Sequence, residues 1–271
     1  MAIADVSTKN IAQLVSLEGR RAVITGGAQG LGKAIAARLA EAGAEIIIGD
    51  LQEDLARTAA EELGEAHGVR TVAVKMDVTD PQSVEAAAER AVAELGGVDI
   101  WVNNAGIFPN RLIADMTVDV WDQVMAINLR GMFLGSQQAA RCMRAGDGGV
   151  IVNIASAAGF RGGAPGMSAY ATSKHGVRGI TRQLAVELAP SGIRVLGVAP
   201  TYCVTEGTTS ARLANSSQQR DIPKELPQLL TTRLGRVGVP DDIARVVLFC
   251  ASDMSIFMTG STLLADAGET A

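Results

Sequence analysis

The chain is poor in aromatic residues and poorer still in histidine. Two Trp, two Tyr and five Phe are all it carries in 271 residues, and His67 and His175 are its only histidines. So few histidines argue against a His-based nucleophilic triad or a His-rich metal centre, and no metal site is expected. His67 falls in a surface-turn pattern and is read as structural. The three cysteines, Cys142, Cys203 and Cys250, lack metal-ligand spacing. Cys142 and Cys250 fall in helical patterns and are expected as buried thiols, which fits a reducing, cytoplasmic setting. No apolar stretch reaches the roughly 18 residues of a spanning helix. Residues 1–16 lack the charged start and apolar run of a secretory signal. The formal net charge is −5 and no basic run occurs, so neither nucleic acid nor an anionic membrane is expected as the main partner. No internal repeat or low-complexity segment is present.

What the chain does have is an ordinary globular balance, 48% hydrophobic and 20% charged, with a regular alternation of short apolar runs and amphipathic stretches. Strands are expected at 21–25, 45–50, 71–76, 98–103, 149–154, 193–199 and 261–265. Helices are expected at 31–42, 53–66, 81–95, 117–144, 168–189 and 240–252. Pro81 and Pro240 stand near helix starts and Gly43 and Gly192 just past helix ends. Runs such as Ile46-Ile47-Ile48 and Val150-Ile151-Val152 are apolar on both faces, as in a parallel sheet covered by helices. The expected fold is α/β: one Rossmann-like, doubly wound parallel sheet of about seven strands with helices on both faces. It follows an N-terminal extension, 1–16, and occupies 17–271 as a single domain. The irregular stretch 201–238, with Pro223 and Pro227, has the length of a lid or binding loop.

The first strand, Arg21 to Ile24, runs into Thr25-Gly26-Gly27-Ala28-Gln29-Gly30-Leu31-Gly32 and then a helix; the second strand ends at Asp50, followed by Leu51. Strand, glycine turn, helix, strand and acid over about thirty residues is the layout of a dinucleotide-binding unit. Glycines let the backbone approach a pyrophosphate, and the free N–H groups of a helix start favour an anion. A carboxylate at Asp50 can accept both ribose hydroxyls and repels a 2′-phosphate, so NAD is favoured over NADP. The spacing of Gly26, Gly30 and Gly32 is G-x-x-x-G-x-G.

Tyr170 and Lys174 stand four apart in a helical segment and share a face. A phenol with an ordinary pKa of about 10 is expected to be lowered by the neighbouring ammonium, toward the range that suits acid–base catalysis. His175 points about 100° away around the helix and is read as structural.

Together these motifs resemble the classical short-chain dehydrogenase/reductase family, from about Arg21 to Gly268. Gly26, Gly30 and Gly32 match its cofactor turn, with Gln29 and Leu31 between them. Asp77-Val78 matches its adenine-contacting pair, and Asn103-Asn104-Ala105-Gly106 its strand-end motif. Asn128, Ser156, Tyr170 and Lys174 match its catalytic residues, Ser156 lying fourteen positions before Tyr170. Pro200, Thr201 and Val204 fall beside the expected nicotinamide, where the family usually has Pro-Gly; its near-terminal Asp-Gly-Gly is Asp266-Ala267-Gly268 here. The resemblance implies interconversion of a secondary alcohol and a ketone with NAD. Tyr170 would be acid/base and Ser156 would orient the substrate oxygen. Lys174 would tune Tyr170 and bind the ribose. Asn128 would bend its helix and hold a relay water through its carbonyl. It also implies a substrate-covering loop at 201–238 and a homotetramer assembled through 117–144, 168–189 and the C-terminal region.

Three of the scarce aromatics, Phe108, Phe160 and Tyr202, fall on segments expected to rim the site, with Met167 nearby. This points to an apolar or ring-containing small-molecule alcohol or ketone, although Arg111 and Arg161 keep a charged substrate open. Three alternatives stand beside this reading. One is an NADPH-dependent ketoacyl-type reductase, opposed by Asp50. Another is a non-catalytic nucleotide sensor, opposed by the intact Ser, Tyr and Lys. The third is an extended-family epimerase or dehydratase, for which the chain is short.

Overall fold

Alternate residues along each strand bury against opposite helix layers, which sets the architecture. Ile24, Ile46, Ile48, Val102, Val152 and Val198 pack with Ile35, Leu39, Ala56, Ile243 and Val247 on one side. Val23, Ile47, Trp101, Ile151 and Val195 pack with Val84, Ala88, Ala91, Ala139, Met143 and Leu188 on the other. A sheet covered on both faces needs apolar side chains at every strand position, which is why the strands read as continuous runs. These relations come from a computed structural model that describes residues 3–208 and 232–271.

The strands are β1 (Arg21–Thr25), β2 (Glu45–Asp50), β3 (Thr71–Lys75), β4 (Ile100–Asn103), β5 (Gly149–Ile154), β6 (Ile193–Pro200) and β7 (Thr262–Ala265). They form one parallel sheet in the order β3-β2-β1-β4-β5-β6-β7. The order reverses between β1 and β4, and ligands of such sheets bind at the carboxyl ends of the strands beside that point. One layer holds α2 (Gly30–Glu41), α3 (Glu53–His67) and α8 (Pro240–Ala251); the other holds α4 (Pro81–Leu95), α6 (Gly131–Arg144) and α7 (Ser168–Leu188).

The expected strands and helices are present within one or two residues, with two departures. The N-terminal segment contains a short helix, α1 (Ile11–Val15), capped reciprocally by Asn10 and Gln13. No residue of α1 is buried, which is why no hydrophobic period marks it. The stretch expected as one helix over 117–144 is broken. It comprises α5 (Val118–Met125), a π-helical turn (Ala126–Arg130) and α6. Gly131 N–H bonds to Ala126 O, five residues back. Such insertions are rare and concentrate at functional sites; Asn128 lies in the middle of this one.

No described helix is long and apolar enough to cross a membrane. Among the described residues no group of His, Cys, Asp and Glu is arranged to hold a metal. Cys203 and Cys250 are buried, and burial pushes their thiols up to about 11 and about 12; Cys142 is only half-buried. In the 201–238 stretch, residues 209–231, including Pro223 and Pro227, lie outside the described residues.

Candidate active site

The glycine turn between β1 and α2 is held by close backbone approach. Gly26 and Gly30 have φ of 62° and 54°, a region that disfavours side chains. Gly32 is required for a different reason: a Cβ there would lie 2.1 Å from Gly26 O and 2.6 Å from Asn104 Nδ2. Thr25 Oγ1 accepts from Asn104 N (3.0 Å) and Ala105 N (3.1 Å), while Asn104 Nδ2 donates to Thr25 O (3.0 Å) and Gly26 O (2.9 Å). The β4-end motif therefore locks the turn across the switch point. No side chain caps α2, whose N-cap residue is Gln29, so its first-turn N–H groups suit an anion.

Asp50 closes β2 beside this turn. Its carboxylate accepts from Ala28 N (3.1 Å) and Gln52 N (3.0 Å), which orients it toward the turn. Leu51 is exposed. Asp77, past β3, accepts from Thr79 N (2.8 Å) and Thr79 Oγ1 (2.7 Å), and Val78 packs where a Cβ on Gly131 would fall. An uncapped helix start, a glycine turn and a carboxylate at the next strand end fit a dinucleotide.

The four proposed catalytic residues come from three different segments. Ser156, just past β5, caps the one-turn helix Ala157–Gly159 through Ala158 N–H (3.2 Å). Tyr170 and Lys174 lie in α7. Tyr170 is half-buried; burial pushes its phenol up, and a hydrogen bond with Ser156, which acts the other way, does not offset this. This corrects the expected lowering by Lys174. The ammonium stands 5.7 Å from the Tyr170 ring centroid and donates to Ile154 O at 2.7 Å. Its charge is thus directed at a backbone carbonyl, and loss of solvent dominates the phenol. Lys174 is itself 5% exposed, and burial lowers its pKa to about 8.

Asn128 is buried and its side-chain amide closes a two-way bond with Ile107: Oδ1 accepts from Ile107 N and Nδ2 donates to Ile107 O, both at 2.8 Å. Nδ2 also reaches Ser173 Oγ at 3.2 Å. The π-helical turn therefore ties the segment after Gly106 to α7, and a Cβ on Gly106 would press on Asn128 Oδ1 at 3.3 Å.

Among the residues expected to rim the substrate, Phe108 meets Tyr170 edge to face, with centroids 6.3 Å apart. Phe160 is stacked by Arg178 at 3.5 Å, and Arg178 also donates to Gly159 O at 2.7 Å. Met167 precedes α7 and Tyr202 follows β6; both are half-buried, whereas Val204 is exposed. Thr201, after Pro200, donates its hydroxyl to Glu269. His175 places Nδ1 2.9 Å from Ala171 O of its own helix.

Three parts of this arrangement were not anticipated from sequence. Asn103 and Asn153, level in adjacent strands, form a buried polar chain: Trp101 Nε1 donates to Asn103 Oδ1, Asn103 Nδ2 to Asn153 Oδ1, and Asn153 Nδ2 to Thr181 Oγ1. Two Asn at matching strand ends were the available signal. Arg178 was legible as a residue one turn beyond Lys174. Glu269 carried no local signal, because its partners are Thr201 and Arg161.

A family model described as enoyl-(acyl carrier protein) reductase matches residues 26–270. The 3-oxoacyl-(acyl-carrier-protein) reductase of Aquifex aeolicus is 37% identical over 254 residues, covering 94% of this chain and 98% of that protein. The 3beta-hydroxysteroid dehydrogenase 2 of Eggerthella lenta is 40% identical over 261 residues, covering 94% and 96%. The crystal structure of a short-chain type dehydrogenase/reductase from Mycobacterium marinum matches with a TM-score of 0.87 at 35% identity, covering 96% of this chain and 99% of that one. The chain belongs to the classical short-chain dehydrogenase/reductase family. Members of this family are oxidoreductases that use a nicotinamide cofactor.

Proposed function

We propose that this protein interconverts a secondary alcohol and a ketone using NAD(H), with Tyr170 as acid/base, on an apolar or ring-containing substrate. The observation that carries the reading is the meeting of Ser156, Tyr170 and Lys174 at the carboxyl ends of β5 and β6, across from the glycine turn. When bound, the dinucleotide supplies the hydride acceptor or donor. Gly26, Gly30 and Gly32 let the backbone approach its pyrophosphate, and Asp50 takes the ribose hydroxyls and repels a 2′-phosphate.

The remaining steps belong to the chain. Ser156 orients the substrate oxygen and stabilises charge developing on it. Tyr170 Oη takes the hydroxyl proton in oxidation and returns one in reduction. Its raised pKa keeps it protonated in the free protein at neutral pH, poised as an acid. Lys174, brought to about 8 by burial, can hold or release a proton at Nζ within the working range. Asn128 fixes the segment bearing Phe108 against α7. Phe108, Phe160, Met167 and Tyr202 supply apolar surface for the substrate, a reading supported by the steroid substrate of the Eggerthella relative. Assembly as a homotetramer through α5, α6 and α7 is supported by the exposed Val118, Phe133 and Val186 on those helices.

A second reading, NADPH-dependent reduction of a ketoacyl thioester, draws on the Aquifex relative; Asp50 opposes it. The deciding experiment offers NAD+ and NADP+ in parallel with cyclic, aromatic and linear secondary alcohols, and the reduced cofactors with matching ketones and a 3-oxoacyl thioester. Turnover of a cyclic alcohol with NAD+ is expected. Turnover confined to NADPH and the thioester would replace this proposal with the second reading.

A further inference from the structure

Two arginines stand near the substrate side, and the structure accounts for both. Arg111 Nη1 donates to Asn110 O at 2.8 Å, and its backbone N–H donates to Gly166 O at 2.9 Å. Arg161, directly after Phe160, pairs with Glu269: Nη2 lies 2.5 Å from Oε1. The other oxygen of Glu269, Oε2, accepts the hydroxyl of Thr201. Glu269 thus bridges the segment that follows β5, which carries Ser156 and Phe160, to the segment that follows β6, which carries Thr201 and Tyr202. Its position is set by a turn on Asp266, whose carboxylate accepts from Gly268 N (3.0 Å), Thr270 N (2.9 Å) and Thr270 Oγ1 (2.7 Å). Ala267 completes that turn at a φ of 47°, the only positive value among non-glycine residues described.

We propose that Glu269 is a specificity-determining residue. Its carboxylate occupies Arg161 and Thr201 at the mouth of the cleft, so neutral alcohols and ketones are accepted while their carboxylate-bearing counterparts are turned away. This rests on the alcohol–ketone reading above. A substrate carboxylate arriving at Arg161 meets a guanidinium already paired and a like charge beside it, and such repulsion is an effective way to reject a competitor. A purely stabilising role is a weak account of the contact. Arg161 is half exposed and Glu269 about one-third exposed, and ion pairs this open to solvent contribute little to stability.

The test compares a hydroxycyclohexanecarboxylate with its methyl ester, which present one ring alcohol with and without charge. Glu269→Gln retains shape and an acceptor for Thr201 but removes the charge. The acid-to-ester ratio of kcat/KM is expected to rise about tenfold in this variant. It is expected to fall back when Arg161→Ala is added. An unchanged ratio in Glu269→Gln, or a rise that survives loss of Arg161, overturns the proposal. Arg161→Gln alone leaves the Glu269 charge without its ion pair and is expected to lower the ratio below wild type, so the idea stays testable if Glu269→Gln folds poorly. A second readout needs no turnover: cyclohexanecarboxylate is expected to raise the melting temperature of Glu269→Gln and leave wild type unmoved. Equal shifts in the two proteins would count against the role of Glu269. If wild type turns over no neutral alcohol with either cofactor, the alcohol–ketone reading fails, and the melting arm still reads the Glu269 charge.

Discussion

The two lips of the cleft are built by different means. On the β1–β4 side, contacts run to the backbone, from glycines and from two polar side chains. Gly26, Gly30 and Gly32 allow close approach, and Thr25 and Asn104 bond to main-chain atoms of each other's segments. On the β5–β6 side, side chains from distant segments hold one another: Arg178 on Phe160, Phe108 on Tyr170, and Glu269 on both Thr201 and Arg161. The difference fits what each lip is proposed to bind. A pyrophosphate is an anion that oriented N–H groups can hold whatever the side chains are. A variable organic substrate must be recognised by side-chain shape and charge. The first lip is therefore expected to tolerate little change, since a Cβ at Gly32 would meet Gly26 O.

Where the lips meet, Tyr170→Phe is expected to have the largest effect. It removes the proposed acid/base and keeps the ring against Phe108, so kcat/KM should fall about 10³-fold with cofactor affinity retained. Circular dichroism would confirm that the variant is folded. A loss below tenfold would remove Tyr170 from the chemistry. In wild type, oxidation is expected to speed up toward alkaline pH, because the raised phenol must lose its proton.

Lys174 tests the same junction through stability. Its folded pKa is about 8 against an ordinary 10.5, so the folded state disfavours the charged form. That penalty is fully present below pH 8 and disappears as pH rises to 10.5. The stability of wild type relative to Lys174→Met should therefore rise by up to about 3 kcal/mol across this window. Urea unfolding of both proteins at several pH values measures it, and a difference that stays flat with pH would show that burial does not perturb Lys174.

Gly32→Ala probes the backbone lip. With a Cβ 2.1 Å from Gly26 O, the turn must shift, at an expected cost of about 2 kcal/mol in stability. Dinucleotide affinity should fall as well, as read by fluorescence titration. Unaltered binding and melting would mean that the turn is more yielding than its contacts imply. The smallest effect is expected from Asp50→Ala, which should lower the preference for NAD over NADP about tenfold and leave the turnover rate near its starting value. An unchanged preference would shift the discrimination away from the β2 terminus.

The sheet was legible because its signals are local and repeated. Apolar runs such as Ile46-Ile47-Ile48, broken by amphipathic stretches, lead directly to the parallel strands and both helix layers. The glycine turn, Asp50 and the Tyr170–Lys174 spacing were legible for the same reason: each is a short motif whose chemistry depends on neighbours in the chain. The interruption at Ala126–Arg130 was less so, since a one-residue insertion leaves the apolar pattern of the helix almost intact.

The amino-acid sequence by itself determined the element order, the covered sheet, the glycine turn and the Tyr170–Lys174 spacing, because period and spacing are properties of neighbouring residues. Only the tertiary structure decided the electrostatic balance at Tyr170, where loss of solvent outweighs a nearby ammonium directed at Ile154 O. It also decided the bridge that Glu269 makes between Arg161 and Thr201. Both depend on how many atoms surround a group and which remote segment lies against it, and these are set when the chain packs.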